Sequence, residues 1–253
     1  MNHYVAMDAV GFGRVSCGQL LLGGCSCRAT SLQRLKGAGA LDRCESIPEP
    51  EAVAFNEAFR KIGAEPPAIL TDAAATRAGI EQALAALTQQ STTCDAAVVF
   101  FSGWGNAAAG GFFLYPSDVA SDEDAPQHGI SPGVLWAWLD KIQAQNLLVI
   151  LDTGDATDFL AATLMKTLGR SGGTERNLSI IAPQGSSRDD PKSEHGVLTF
   201  AVLQALTRES DLNGDGLLSV AELEAATAAN VIRANAGLFG HGEFPSPGGV
   251  GWE

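Results

Sequence analysis

The chain has 253 residues, 45% hydrophobic and 18% charged, with 29 acids against 16 bases and a formal net charge of -13. That length holds one large domain or two small ones, and the apolar content is that of an ordered globular protein. The acidic excess argues against nucleic acid as a partner, because phosphate binding needs a basic face, and it disfavours anionic membrane surfaces for the same reason. No basic segment followed by an apolar leader is visible at the start. Apolar runs such as 96–101 and 147–151 fall well short of the roughly 18 residues a membrane helix needs, so a cytoplasmic protein is expected. The five Cys are odd in number, and free thiols in a reducing compartment are the simpler reading. Cys17 with Cys25-Ser26-Cys27 suggests a soft metal, but no second pair or His cluster follows, and zinc is not expected.

Taken in chain order, Gln19 to Gly24 reads as a short buried strand closed by a glycine turn. Residues 26–48 lack a pattern and read as a loop. Pro48-Glu49-Pro50-Glu51 opens a helix to about Gly63, since proline suits a first turn and acids suit the positive end of the dipole. Pro67 to Leu70 is a second short strand. Asp72 is the expected N-cap of an alanine-rich helix from Ala73 to Leu87. Ala96 to Phe101 is fully apolar, as a central parallel strand should be. Ser102-Gly103-Trp104-Gly105 is the loop at its carboxyl end. Gly111 to Pro116 is a hairpin element, and a helix runs from Ile130 to Ile142. Leu147 to Asp152 is another buried strand, followed by Thr153-Gly154-Asp155 and a helix to about Leu168. Leu178 to Pro183 is a fifth strand. Helices at 196–207 and 219–235 precede a Gly/Pro-rich tail.

Strands alternating with helices imply an α/β domain with a mostly parallel sheet flanked by helices, and no linker divides residues 1–253. Ligands of such sheets bind beyond the carboxyl ends of the central strands. The loops at 102–105 and 152–155 therefore make the expected site.

Three segments, DAAVVFFSGWG…GGFFLYPSD, NLLVILDTGDA and EHGVLTFAVLQALT…DLNGDGLLSVAELEA, occur in order. With QLLLGG, EPEAVAFNEAFRKIG and AILTDAAATRAGI, they resemble the bacterial caspase-like cysteine peptidases of the metacaspase and orthocaspase branch, over about residues 16–235. The resemblance implies a caspase–hemoglobinase-like three-layer sandwich. It also implies a catalytic His in the loop after the third strand and a nucleophilic Cys after the fourth. Trp104 stands at the His position and Gly154 at the Cys position. Cysteine catalysis needs a thiolate and a base. Gly154 has no side chain, and an indole N–H only donates. With both members replaced, the expected protein is a pseudopeptidase: a binding, regulatory or scaffold protein whose partner is a peptide or protein, an active caspase-like peptidase among the candidates. A bacterial source fits the resemblance.

The alternative is a residual endopeptidase cleaving after basic residues with a relocated dyad. It would have to draw on His3, His128, His195 or His241 and on a thiol such as Cys94. Asp155 accepts a proton but has no nucleophile to serve. In the family, the acid at Asp152 helps form a pocket for a basic side chain, and capping of the following helix is an equal reading. Asp118 also matches a family motif and serves peptide binding or structure. Trp104 either fills the cleft or presents a flat apolar anchor.

Residues 211–222 fit a calcium loop inside an EF-hand-like helix–loop–helix at about 196–235. Asp211, Asn213 and Asp215 offer side-chain oxygens at positions 1, 3 and 5, Gly216 allows the turn, and Leu217 offers its carbonyl. Ser219 and Glu222 complete the set, the latter as a bidentate carboxylate. A single loop should bind Ca2+ weakly, in a structural role. Decay of the loop to a helix–helix turn, with Ser219 and Glu222 as a cap, is the plainer alternative.

Overall fold

A computed structural model describes residues 9–19, 25–28, 58, 68–70, 74–92, 96–103, 105–153, 177–182, 197–206, 208–215, 217–235 and 251–252. The fold is mixed α/β. Its centre is a parallel trio: β4 (Ala96–Ser102), β7 (Asn146–Asp152) and β8 (Asn177–Ile181). β4 and β7 pair in register from Ala96↔Asn146 to Ser102↔Asp152. Both read as unbroken apolar runs because both of their faces are covered.

Alternation along β4 and β7 sorts their side chains into two cores. Val99, Phe101, Leu147, Val149 and Leu151 pack with Ile80 and Leu84 of α1 (Arg77–Gln90) and with Leu135 and Leu139 of α3 (Pro132–Leu139). Val98, Phe100, Leu148 and Ile150 face the other way. They pack with Leu198 and Val202 of α4 (Val197–Ala205) and Leu223 of α5 (Val220–Asn235). Helices thus lie on both faces of the sheet.

The sheet is less parallel than the strand–helix alternation predicts. β1 (Ala9–Gln19) runs antiparallel to β4, pairing Ala9↔Ser102 through Val15↔Ala96. β3 (Ala68–Leu70) pairs antiparallel with the same β1 residues on their other edge, and β2 (Cys25–Arg28) pairs with Ser16–Gln19. The first strand ends at Gln19, where it was expected to begin. Residues 26–28 are strand rather than loop. Gly and polar residues in 9–19 disguise an apolar period, whereas antiparallel pairing depends on partners distant in sequence. Of the helix predicted at 48–63, Ala58 is described, and it is helical and 1% exposed; the rest of that predicted helix, residues 20–24, and the helix expected after Asp155 lie outside the described residues.

Helix α1 starts later than the alanine run suggests. Its N-cap is Thr76, whose Oγ1 accepts from the Gly79 N–H at 3.0 Å. Asp72 lies outside the described residues. The backbone before Thr76 is used elsewhere, with Ala75 O accepting from Ser117 N at 3.1 Å. β5 (Gly105–Ala108) and β6 (Gly111–Leu114) form a hairpin after β4. Its turn, Ala109-Gly110, has φ of 47° and 79°, both left-handed, as a two-residue hairpin turn requires. The one-turn helix α2 (Ala125–His128) precedes α3, whose N-cap Ser131 Oγ accepts from Val134 N at 3.3 Å. No helix among the described residues is long and apolar enough to cross a membrane.

Candidate functional site at the carboxyl ends of β4 and β7

The last residues of β4 and β7 lie side by side. Gly103 N donates to Asp152 O at 2.8 Å, extending the ladder one step past Ser102. Ser102, Asp152 and Thr153 are buried, at 8%, 7% and 1% exposed. The two loops picked out from sequence therefore leave the sheet as neighbours. Trp104, Gly154 and Asp155, the next residues along these loops, lie outside the described residues.

Asp152 is fixed by the opposite helix layer. Its Oδ2 accepts from Thr199 N at 3.1 Å and from Thr199 Oγ1 at 2.7 Å. Thr199 is fully buried in the first turn of α4. A carboxylate there satisfies an orphan helix N–H and sits at the positive end of the helix dipole. Asp152 thus caps the start of α4, 47 residues away; the helix expected to follow its strand lies outside the described residues. Sequence reasoning missed Thr199, and no local signal marks it, because the contact depends on how α4 crosses the sheet.

Asp118 is also engaged with a helix start. Its Oδ1 accepts from Arg77 N at 3.0 Å, and its Oδ2 is 3.7 Å from His128 Nδ1. Arg77 Nη1 in turn donates to the carbonyls of Gln127 and Gly129, at 2.9 and 3.0 Å. These bonds pin the loop after β6 to α1. A hydrogen bond from the buried Tyr115 hydroxyl to Asp122, which also accepts from Asn106 Nδ2 at 3.2 Å, stiffens the same loop. No described contact joins Asp118 to Asp152.

The acidic loop is closed on Glu222. Glu222 Oε1 accepts from Leu212 N at 3.0 Å and Asn213 N at 3.2 Å. Oε2 accepts from Ser219 N at 3.0 Å and Ser219 Oγ at 2.8 Å, and Ser219 Oγ accepts from Glu222 N at 3.3 Å. Ser219 and Glu222 therefore form a reciprocal capping box at the start of α5. The Ser219 backbone N–H, above all, and its hydroxyl hold the Glu222 carboxyl below its ordinary value, against an opposing effect of partial burial. Asp211 Oδ1 accepts from Gly214 N, and Asn213 Oδ1 from Asp215 N, both at 2.8 Å. Gly214 has φ of 75°. Leu217 lies in the two-residue strand β9 (Leu217–Leu218), paired parallel with β10 (Gly251–Trp252). Gly216 lies outside the described residues.

The donor types suit a hard cation, since every ligand offered is oxygen. The arrangement is a different matter: all four bonds to Glu222 occupy the oxygens that bidentate coordination would use. Among the described residues, no three His, Cys, Asp or Glu converge as a metal group.

His128 is exposed beside Asp118, and His3, His195, His241 and Cys94 lie outside the described residues. Register sets Cys17 opposite Cys27 and Gln19 opposite Cys25. No family model matches this chain, and neither a curated protein nor a solved structure matches it.

Proposed function

We propose that this protein is a caspase-like pseudopeptidase: a non-catalytic binding, regulatory or scaffold protein whose partner is a peptide or protein segment. The reading rests on one juxtaposition. The loops after two adjacent parallel strands, where an α/β sheet places its chemistry, carry Trp104 and Gly154 in the slots where the resembling family carries His and Cys. A glycine cannot attack a carbonyl, and an indole cannot take a proton near neutral pH. What remains is a frame whose loop after β4 carries a flat aromatic residue in its sequence, a residue type suited to holding a segment without cutting it. An active caspase-like peptidase is one partner of that kind.

An arginyl peptide electrophile tests the catalytic half. No cysteine should react with it faster than with iodoacetamide alone. Selective, stoichiometric labelling of one thiol would show a relocated nucleophile and end the reading. Trp104→Ala tests the binding half, and should weaken capture of any segment the protein retains.

The twelve-residue motif at 211–222 favours a second property: weak, structural calcium binding. Asp211, Asn213, Asp215, Leu217, Ser219 and Glu222 would hold the ion, and it would tie α4 to α5. A cation that binds only the folded state raises the melting temperature as its concentration passes the dissociation constant. The expected result is a rise in Tm with millimolar calcium that is absent in Asp211→Ala and Asp215→Ala. No rise in the unsubstituted protein rejects calcium binding.

A further inference from the structure

Along the chain, Cys17 is about as near to Cys25 as to Cys27. Strand pairing separates the two. The Ala9–Val15 stretch of β1 pairs with β4, and its Ser16–Gln19 stretch pairs antiparallel with β2. That register sets Cys17 directly opposite Cys27, while Cys25 stands opposite Gln19. Alternation puts all three on one face of the ribbon. Directly opposed residues of an antiparallel pair have Cα atoms about 4.5–5.5 Å apart, inside the range of about 4.4–6.8 Å that a disulfide spans. The diagonal from Cys17 to Cys25 is about 7–8 Å and falls outside it. Cys25 and Cys27, two steps apart on one strand, are separated by about 6.6 Å, at its outer limit. Register therefore favours one pair of the three. β2 also ends the strand order, with β1 its one neighbour among the described residues, so the pair lies at the margin of the sheet.

We propose that Cys17 and Cys27 are a thiol–disulfide exchange site, forming a reversible cross-strand disulfide with low-molecular-weight disulfides such as oxidised glutathione as the oxidant. One cysteine thiolate attacks a sulfur of glutathione disulfide, forms a mixed disulfide and releases one glutathione as its thiolate. The second cysteine thiolate attacks the protein sulfur of that mixed disulfide and releases the other glutathione. Two cysteines lose two electrons, one glutathione disulfide gains them, and the two cysteine protons end on two glutathione thiols. The bond fastens β2 to β1, which is itself paired with β4. In a reducing compartment the pair stays open. The site is independent of any peptide bound at the carboxyl ends of β4 and β7.

The test equilibrates the folded, full-length protein with glutathione buffers of rising oxidised fraction. Remaining thiols are alkylated, and unreduced digests are mapped by mass spectrometry after chymotrypsin, which cuts at Leu20 to Leu22 between Cys17 and Cys25. The expected result is Cys17 linked to Cys27, with Cys25 alkylated. Cys25→Ser should keep the link, and Cys17→Ser and Cys27→Ser should lose it. Melting curves establish that each variant is folded, and the map of the unsubstituted protein decides alone where one is not. In urea, where register is gone, Cys17 should pair with Cys25 and Cys27 in comparable amounts, since closing loops of similar length costs nearly the same. A folded protein that links Cys17 to Cys25, Cys44 or Cys94, or Cys25 to Cys27, overturns the inference. So does one whose Cys17 and Cys27 stay as thiols or uncross-linked mixed disulfides across the whole series. An undiminished preference for Cys27 in urea also overturns it, because register is then not what chooses the partner.

Discussion

Thr199→Val probes how strand β7 and helix α4 are joined. The substitution deletes one hydroxyl and leaves volume and β-branching nearly unchanged, so no cavity opens. What is lost is the 2.7 Å bond from Thr199 Oγ1 to Asp152 Oδ2, between residues 0% and 7% exposed. Hydrogen bonds to charged groups contribute about 1.5–3 kcal/mol, and a buried partner left with fewer donors adds its desolvation cost. The surviving 3.1 Å bond from Thr199 N limits the damage, so about 2 kcal/mol is expected. For a chain of this size, each kcal/mol lowers Tm by about 2–4 °C, giving a drop of about 4–8 °C. Urea denaturation is the better assay, with the midpoint falling while the slope stays constant. A change within about 0.5 kcal/mol, the ordinary range for surface substitutions, would refute the claim that this bond ties β7 to α4.

Other outcomes follow from the same geometry. At Gly129 an added Cβ would lie 2.5 Å from Ala125 O and 2.9 Å from Phe113 Cβ, so Gly129→Ala should cost about 1–3 kcal/mol by overpacking. Gly214→Ala meets nothing within 4 Å, but φ is +75°, and only the left-handed backbone, about 1–2 kcal/mol, opposes it. A Gly129→Ala protein that melts with the unsubstituted one would show the packing of Gly129 against Ala125 and Phe113 to be looser than described. The lowered Glu222 acidity sets a pH signature. A carboxyl with a depressed folded value contributes stability that is fully present above its unfolded value of about 4.3 and lost as pH falls through the folded value. The stability gap between the unsubstituted protein and Glu222→Gln should therefore hold steady near neutrality and narrow below about pH 4.3. A gap that does not narrow in acid would mean Glu222 is not bound as an anion.

Much of the central sheet was legible because its signals are local. β4 and β7 announce themselves as continuous apolar runs, and Ser131-Pro132 marks the start of α3 by residue type alone. The carboxyl-end loops followed from the strand assignment. What the sequence hid was set by contacts across the fold. Asp72 was the obvious cap for the alanine run, but Thr76 and the distant Asp118 share the start of α1. The direction of β1 depends on its partner β4, which no period within 9–19 reveals. Asp152 was recognised as a special acid, while its partner Thr199 sits in an apolar helix stretch that reads as core. In the acidic loop the opposite held: the spacing of Asp211, Asn213, Asp215, Ser219 and Glu222 was plain, and the structure adds that Glu222 closes the loop on itself.

The most direct test of the account is a cleavage assay on the pure, full-length protein. A peptide mixture rich in Arg and Lys is incubated with it, with and without calcium, and the products are read by mass spectrometry. The account predicts no cleavage beyond a buffer control under either condition. Cleavage that persists on repurification and is abolished by alkylating the cysteines would contradict it.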